Sequence, residues 1–431
     1  MYRKIMGFLE EWKENEHRKP LILQGARQVG KTYSILEFGR THYENVAYFN
    51  FETNPKLNET FEENISPDYL IPILSHIAGQ TIVKEKTLIV FDEVQLCERA
   101  LTSLKYFCED APDYHIIVAG SLLGVAVNRA KFSFPVGKVD MKTLYPMDME
   151  EFMIAMGESG LVEQIKKCFE TNQPMPSALH DAAMQLYRQY LVVGGMPECV
   201  MQFVQTRDYI LIRHTQDTIL ASYLNDMSKY NNLNEIKKTR LAYDNITVQL
   251  SKKNTRFQYK LIKKGGRASE FENAIEWLCL SGIVSQVYRV EQIKKPLENY
   301  RDIDAFKIYV SDLGLLCAKK DLVANDILYM VEELNDFKGG MTENYVNVQL
   351  TINGHNTYYW ESERGAEIDF VIQREGQLIP IEVKSADNTR AKSLKVYMDT
   401  YKPAYAIKLS AKNFAFEDNK KVVPLYAAFC I

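Results

Sequence analysis

The chain has no C-x-x-C pair, and its seven cysteines (Cys97, Cys108, Cys168, Cys199, Cys279, Cys317 and Cys430) are scattered along 431 residues with no histidine spaced to join them. That excludes a disulfide framework or a zinc site read from spacing, and suits reduced thiols in a cytoplasmic protein. Long apolar runs are also missing. The longest, residues 116–127, is 12 residues and contains Gly and Ser, too short to span a bilayer. The opening Met1-Tyr2-Arg3-Lys4 has no signal-peptide core, so no membrane role is expected. Charge of one sign is not in excess: the net charge of -4 argues neither for nor against nucleic acid. Repeats and low-complexity tracts are absent. What remains is 46% hydrophobic and 25% charged, an ordinary globular composition, in a chain long enough for about two to four domains.

The most informative feature is at residues 25–32. Gly25, Ala26, Arg27, Gln28, Val29, Gly30, Lys31 and Thr32 complete a G-x-x-x-x-G-K-[ST] loop. The apolar run Leu21-Ile22-Leu23 precedes it as a buried strand would, and Tyr33-Ser34-Ile35-Leu36 follows as the first turns of a helix. A strand, a glycine-rich turn and a helix N-terminus form an anion cradle, with backbone N–H groups facing the phosphates of ATP. Lys31 is expected on the β- and γ-phosphates and the Thr32 hydroxyl on Mg²⁺.

A metal-side carboxylate is expected at the end of a second strand. The run Leu88-Ile89-Val90-Phe91 ends in Asp92 and Glu93, at the carboxyl end where open α/β sheets bind ligands. Asp92 is the candidate for Mg²⁺, and Glu93 for the attacking water. A third run, His115-Ile116-Ile117-Val118-Ala119-Gly120, ends in Ser121, read either as a γ-phosphate sensor or as an ordinary helix N-cap.

The pattern then changes. Residues 1–155 alternate strand and helix signals, whereas 156–235 read as helical, interrupted by Gly194-Gly195-Met196-Pro197, which by itself reads as a turn between helices. Between Lys237 and Arg267 lie ten Lys or Arg and one acid, Asp244, a local charge of about +9. Three short helical patterns and a strand pair in 236–335 suggest a winged helix-turn-helix. Its basic face is read either as contacting DNA phosphates or as merely solvated.

Residues 336–431 carry a second chemical pattern. Glu343 sits near the start of a helix, Asp369 in the strand Ile368-Asp369-Phe370, and Glu382 in Ile379-Pro380-Ile381-Glu382-Val383-Lys384. The period of two puts Glu382 and Lys384 on the face opposite Ile379, Ile381 and Val383. Glu343, Asp369 and Glu382 are expected to hold Mg²⁺ or Mn²⁺. Lys384 would orient the attacking water or offset phosphorane charge. The alternative is an amphipathic sheet with an exposed Glu–Lys pair.

This spacing resembles the PD-(D/E)XK, restriction-endonuclease-like fold. The whole chain is similar to bacterial and archaeal ATPases with an N-terminal AAA-type domain, of the STAND-like switch kind, and a C-terminal nuclease-like domain of unknown function. The resemblance implies an α/β protein with a parallel-sheet P-loop domain, a helical lid, a winged helix and an α/β nuclease-like domain. It also implies that Gly195-Met196-Pro197 in the lid contacts nucleotide. Lys138 stands where such ATPases often carry an arginine, which puts fast hydrolysis in question. An arginine finger is not evident, and Arg129, Arg188 and Arg213 qualify only by residue type. The expected activity is ATP-controlled, metal-dependent DNA cleavage at Asp369, Glu382 and Lys384, with DNA and nucleotide as partners and room for a homo-oligomer. The competing readings are a nucleotide-switched DNA-binding regulator with an inactive nuclease fold, and an ATPase acting on another protein.

Overall fold

A computed structural model describes residues 1–121, 135–229, 233–250, 256–385 and 392–431. Arg129, Lys252 and Lys253 lie outside the described residues. The chain forms two compact units: Tyr2–Tyr145 with Leu280–Gly282, and Pro146–Cys279 with Ile283–Ile431. The first break thus falls between Tyr145 and Pro146, and, apart from Leu280–Gly282, the stretches read as lid, basic module and C-terminal domain lie in the second unit.

The first unit is built on five strands: β1 (Leu21–Gly25), β2 (Asn45–Asn50), β3 (Thr87–Asp92), β4 (His115–Ser121) and β5 (Asp140–Thr143). All pair in parallel in the order β2-β3-β4-β1-β5. β3 is buried along its whole length, as its unbroken apolar run requires of a strand covered on both faces. On one side Phe49, Phe51, Phe61 and Phe91 form a common core with Ile22, Ile89 and Leu104. The crossover helices include Lys31–His42 after β1 and Glu98–Asp110 after β3. Because every strand runs the same way, the ends of β1, β3 and β4 face one edge, where Gly25, Asp92 and Ser121 meet.

The second unit opens with helices. The Met149–Ala155 helix carries a capping box in which the Asp148 carboxylate accepts from Glu151 N at 2.8 Å. Helices Ser177–Val193, Pro197–Thr206, Tyr209–Lys229 and Leu233–Leu250 follow. An eight-stranded sheet then runs β12-β13-β11-β10-β9-β8-β6-β7. Its strands are β6 (Val284–Val290), β7 (Arg301–Val310), β8 (Tyr358–Glu361), β9 (Glu367–Arg374), β10 (Gln377–Val383), β11 (Ala406–Ser410), β12 (Ala415–Glu417) and β13 (Lys420–Pro424). β8, β9 and β10 form an antiparallel meander, and β11 returns parallel to β10 after the Lys392–Tyr401 helix.

Two helices, Leu233–Leu250 and Ala268–Leu280, and a short turn of helix at Tyr259–Leu261 precede the β6–β7 hairpin. This order does not establish the expected winged helix. β6 also pairs with β8, so the hairpin is built into the large sheet instead of standing out as a wing. Part of the basic stretch is neutralised internally: Lys238 pairs with Glu235 at 2.9 Å and Lys263 with Glu270 at 3.0 Å.

Candidate functional site

The loop after β1 is shaped by two left-handed residues, Gln28 at φ 64° and Gly30 at φ 89°. Gly30 is the N-cap of the Lys31–His42 helix and offers no side chain to cap it, so the first-turn N–H groups are left for an anion. Gly25 cannot be larger: a Cβ there would lie 2.3 Å from the Leu144 carbonyl oxygen. Arg3, 4% exposed, braces the loop by donating to the Val29 carbonyl at 3.0 Å and the Tyr145 carbonyl at 2.7 Å.

Lys31 Nζ donates to the carbonyls of Gly25 at 3.1 Å and Ala26 at 2.8 Å. Burial pulls its pKa down to about 8, against the carboxylates of Glu93 and Asp92, which raise it. The Thr32 hydroxyl donates to Asp92 Oδ2 at 2.9 Å. The same oxygen accepts from the Tyr48 hydroxyl at 2.7 Å, and Asp92 Oδ1 accepts from Glu93 N at 3.0 Å. Glu93 is held in the left-handed region at φ 52°, and its carboxylate accepts from Gln95. Ser121 stands beside Gly25 in the β1–β4 register. The fit to a nucleotide with Mg²⁺ is therefore good: an uncapped helix start, a buried lysine, and a hydroxyl and carboxylate within hydrogen-bond distance.

Lys138 lies elsewhere. It precedes β5, whose first residue Asp140 pairs with Leu21 at the start of β1, so it sits toward the strand ends away from the loop, and it pairs with Glu109 at 2.9 Å. A lysine there says nothing about hydrolysis. Arg188 and Arg213 belong to the second unit, and Arg213 pairs with Asp321 at 3.1 Å.

Pro197 also belongs to the second unit, where it opens the Pro197–Thr206 helix. The turn before it is tightly packed. Gly195 N donates to Asp312 Oδ2 at 2.6 Å, and Met147 N donates to the Gly195 carbonyl at 2.7 Å. A Cβ at Gly195 would lie 2.0 Å from the Met147 carbonyl oxygen, and Gly194 takes φ 75°. Asp312 also caps the Leu313–Lys319 helix, accepting from Leu315 N at 2.8 Å.

The C-terminal residues come together as well. The β9–β10 pairing ends at Ile381 opposite Phe370, and Glu382 and Asp369 are the residues just beyond it, close enough for Glu382 to act on Asp369. Asp369 Oδ2 accepts from Val383 N at 2.7 Å, and Glu382 bonds Lys384. Glu343, from the Asn335–Ile352 helix, is close enough to act on both acids. Burial, then Glu343 and Glu382, push the Asp369 carboxyl well above the usual carboxylate range. Burial also raises Glu382, against Lys384. Glu382 Oε2 is buried with no hydrogen-bond partner, as a cation ligand would be. Yet among the described residues no group of three His, Cys, Asp or Glu is set to hold a metal ion. The fit to a metal is thus partial: one orphaned ligand atom, but no ready-made ligand set.

Lys307 and Tyr309 on β7 join this cluster, and sequence reasoning did not find them. Lys307 Nζ lies 2.5 Å from Glu367 Oε1 and 3.4 Å from Glu343 Oε2, and the Tyr309 hydroxyl donates to the same Glu343 oxygen at 3.2 Å. A cavity of about 670 Å³ opens beside them, lined in part by Arg188, Lys307, Tyr309, Glu343, Glu367 and Ser385.

Comparison with known proteins bears on each part. Residues 17–153 match a family described as an AAA domain. The match supports an AAA-type ATPase. Residues 184–326 and 338–428 match two families described only as domains of unknown function. No curated protein matches the chain. Among solved structures, a Walker-type ATPase of Pyrococcus abyssi is similar at 13% identity over 74% of this chain and 95% of that one, with a TM-score of 0.46. The Orc1 protein of Aeropyrum pernix in complex with DNA is similar at 12% identity over 74% and 91%, with a TM-score of 0.28. The RuvB Holliday junction branch migration motor of Thermotoga maritima gives 13% identity over 65% and 87%, at 0.28. At these scores the likeness carries no argument about DNA.

The AAA-type domain explains why its site was readable. Lys31, Thr32, Asp92, Glu93 and Ser121 each end a strand or start a helix, where the sequence marks position. Tyr48 and Arg3, which brace that site, carried no such mark: one is a strand aromatic, the other a basic residue near the N-terminus. Among the described residues, no helix is long and apolar enough to cross a membrane.

Proposed function

We propose that the AAA-type domain binds and hydrolyses ATP with Mg²⁺, and that its nucleotide state controls metal-dependent cleavage of DNA at the C-terminal carboxylate cluster. ATP supplies the phosphoanhydride and Mg²⁺ the charge that offsets the phosphates. Lys31 would hold the β- and γ-phosphates, and Thr32 and Asp92 the metal ion. Glu93 would orient the attacking water and take its proton, and Ser121 would sense the γ-phosphate. Pro197 would meet nucleotide from the lid. The observation that carries this reading is the 2.9 Å hydrogen bond between the Thr32 hydroxyl and Asp92, which joins the loop and the acidic strand end in one site.

At the second site Asp369 and Glu382 would hold Mg²⁺ or Mn²⁺, with Glu343 completing the set and Lys384 offsetting charge on the phosphate. What supports this is the neighbouring Asp369 and Glu382 carboxylates with an orphaned oxygen on Glu382, on strands with a preceding helix and a following helix and strand, as the nuclease resemblance implies. DNA contact is inferred from the ten Lys and Arg against one acid between Lys237 and Arg267. A homo-oligomer is compatible with this account.

Glu93→Gln separates binding from chemistry. It should keep ATP affinity and lose hydrolysis, read as phosphate release. Full turnover in that variant would remove Glu93 from the reaction and with it this assignment of the site.

A further inference from the structure

Lys307 is the buried charge that the proposed chemistry leaves unused. It lies on β7, in the segment matching the 184–326 family, and only 6% of it is exposed. Its partners Glu343 and Glu367 lie in the segment matching the 338–428 family, so the cluster is assembled from both. Burying an ammonium is costly unless carboxylates surround it. Here burial pulls the Lys307 pKa down, and Glu343, Glu367 and Asp369 more than reverse the effect.

The converse matters more. Glu343, Glu367, Asp369 and Glu382 crowd one partly buried region, and cations near them offset their mutual repulsion. Lys384 serves Glu382, and Lys307 serves Glu343 and Glu367. Tyr309, two residues along the same face of β7, holds Glu343 toward Lys307. A divalent ion taking Glu343 as ligand would meet an ammonium 3.4 Å from the ligand oxygen. At that range like charges repel strongly in a buried site.

Resting on the metal-dependent reading above, we propose that Lys307 is an internal cation that keeps the carboxylate cluster closed to a divalent ion, and that the cluster takes the ion when Lys307 is withdrawn. Mn²⁺ binding to the full chain, without nucleotide, tests this by titration calorimetry and by the electron paramagnetic resonance of free Mn²⁺. The proteins are wild type, Lys307→Met, Lys307→Arg, Glu382→Gln, and Lys307→Met combined with Glu382→Gln. Lys307→Met should bind Mn²⁺ roughly tenfold or more tighter than wild type, the scale expected from removing one charge beside the ion. Lys307→Arg should behave as wild type, and adding Glu382→Gln should abolish the gain. Should Lys307→Met fail to fold, Lys307→Gln keeps a polar tip toward Glu367 and takes its place.

Equal Mn²⁺ affinity in wild type and Lys307→Met overturns the proposal. If that shared affinity is lost in Glu382→Gln, the lock falls and the metal-dependent reading stands. If neither protein has a Glu382-dependent Mn²⁺ site, both fall together.

Discussion

Asp312→Ala would strip two buried backbone N–H groups of their acceptor. Asp312 is 3% exposed, and its carboxylate takes Gly195 N at 2.6 Å and Leu315 N at 2.8 Å. The first bond ties down the Gly-Gly turn, and the second caps the Leu313–Lys319 helix. A lost cap costs about 1 kcal/mol, and a buried donor left unpaired about 1–3 kcal/mol. Together these give about 2–4 kcal/mol, or a melting temperature lower by roughly 3–7 °C for a unit of this size. The carboxyl adds a pH signature. Burial pushes it from 3.8 up to about 6, against the N–H groups that favour its charge. The folded protein therefore holds the proton more tightly than the unfolded chain, and stability falls as pH rises from about 4 to 6. Asp312→Asn keeps one acceptor and cannot titrate, so it should melt above the alanine variant and show a flatter profile across that window. Thermal unfolding followed by circular dichroism from pH 4 to 8 reads both effects. An alanine variant that melts with the wild type at pH 7 would refute the reasoning.

Lys31→Ala should lower ATP affinity by roughly a hundredfold or more, since a charge-assisted contact to two phosphates is lost; unchanged affinity by fluorescent-nucleotide titration removes the phosphate-loop assignment. Because burial holds Lys31 at about 8 without ligand, and phosphate would favour its charged form, ATP affinity should fall as pH rises through about 8. An affinity that is flat from pH 7 to 9.5 contradicts the burial argument. Gly25→Ala forces a Cβ against the Leu144 carbonyl oxygen and should destabilise the first unit by about 1–3 kcal/mol while weakening nucleotide binding. A stable variant with normal ATP affinity would show that β5 can move aside.

Local chemistry decided how much the sequence disclosed. The loop at 25–32 and the acids after Phe91 were legible because a phosphate site needs fixed residue types at fixed steps from a strand end. Asp369 and Glu382 were legible as a pair because strand alternation turns each away from its apolar neighbours, and both lie just beyond the last β9–β10 pair. Lys307 was not, because a charged residue inside the run Ala305-Phe306-Lys307-Ile308-Tyr309 becomes intelligible only when β7 meets Glu343 and Glu367, 36 and 60 residues away. Asp312 was hidden likewise: its partner Gly195 lies 117 residues upstream. The basic stretch misled in its detail, since composition does not show that Lys238 and Lys263 find acids or that β6 pairs with β8. The Lys138 comparison failed for the same reason: position along the chain gave no hint of which end of the sheet it occupies.

Nucleotide control of cutting at the carboxylate cluster is the function proposed for this chain. It is tested most directly by incubating the full chain with supercoiled DNA and Mg²⁺ or Mn²⁺, with and without ATP, beside Asp369→Ala. The account predicts nicking or linearisation that ATP changes and that Asp369→Ala abolishes while its ATP hydrolysis persists. DNA left intact by the wild type under every condition, with ATP hydrolysis normal, would contradict it.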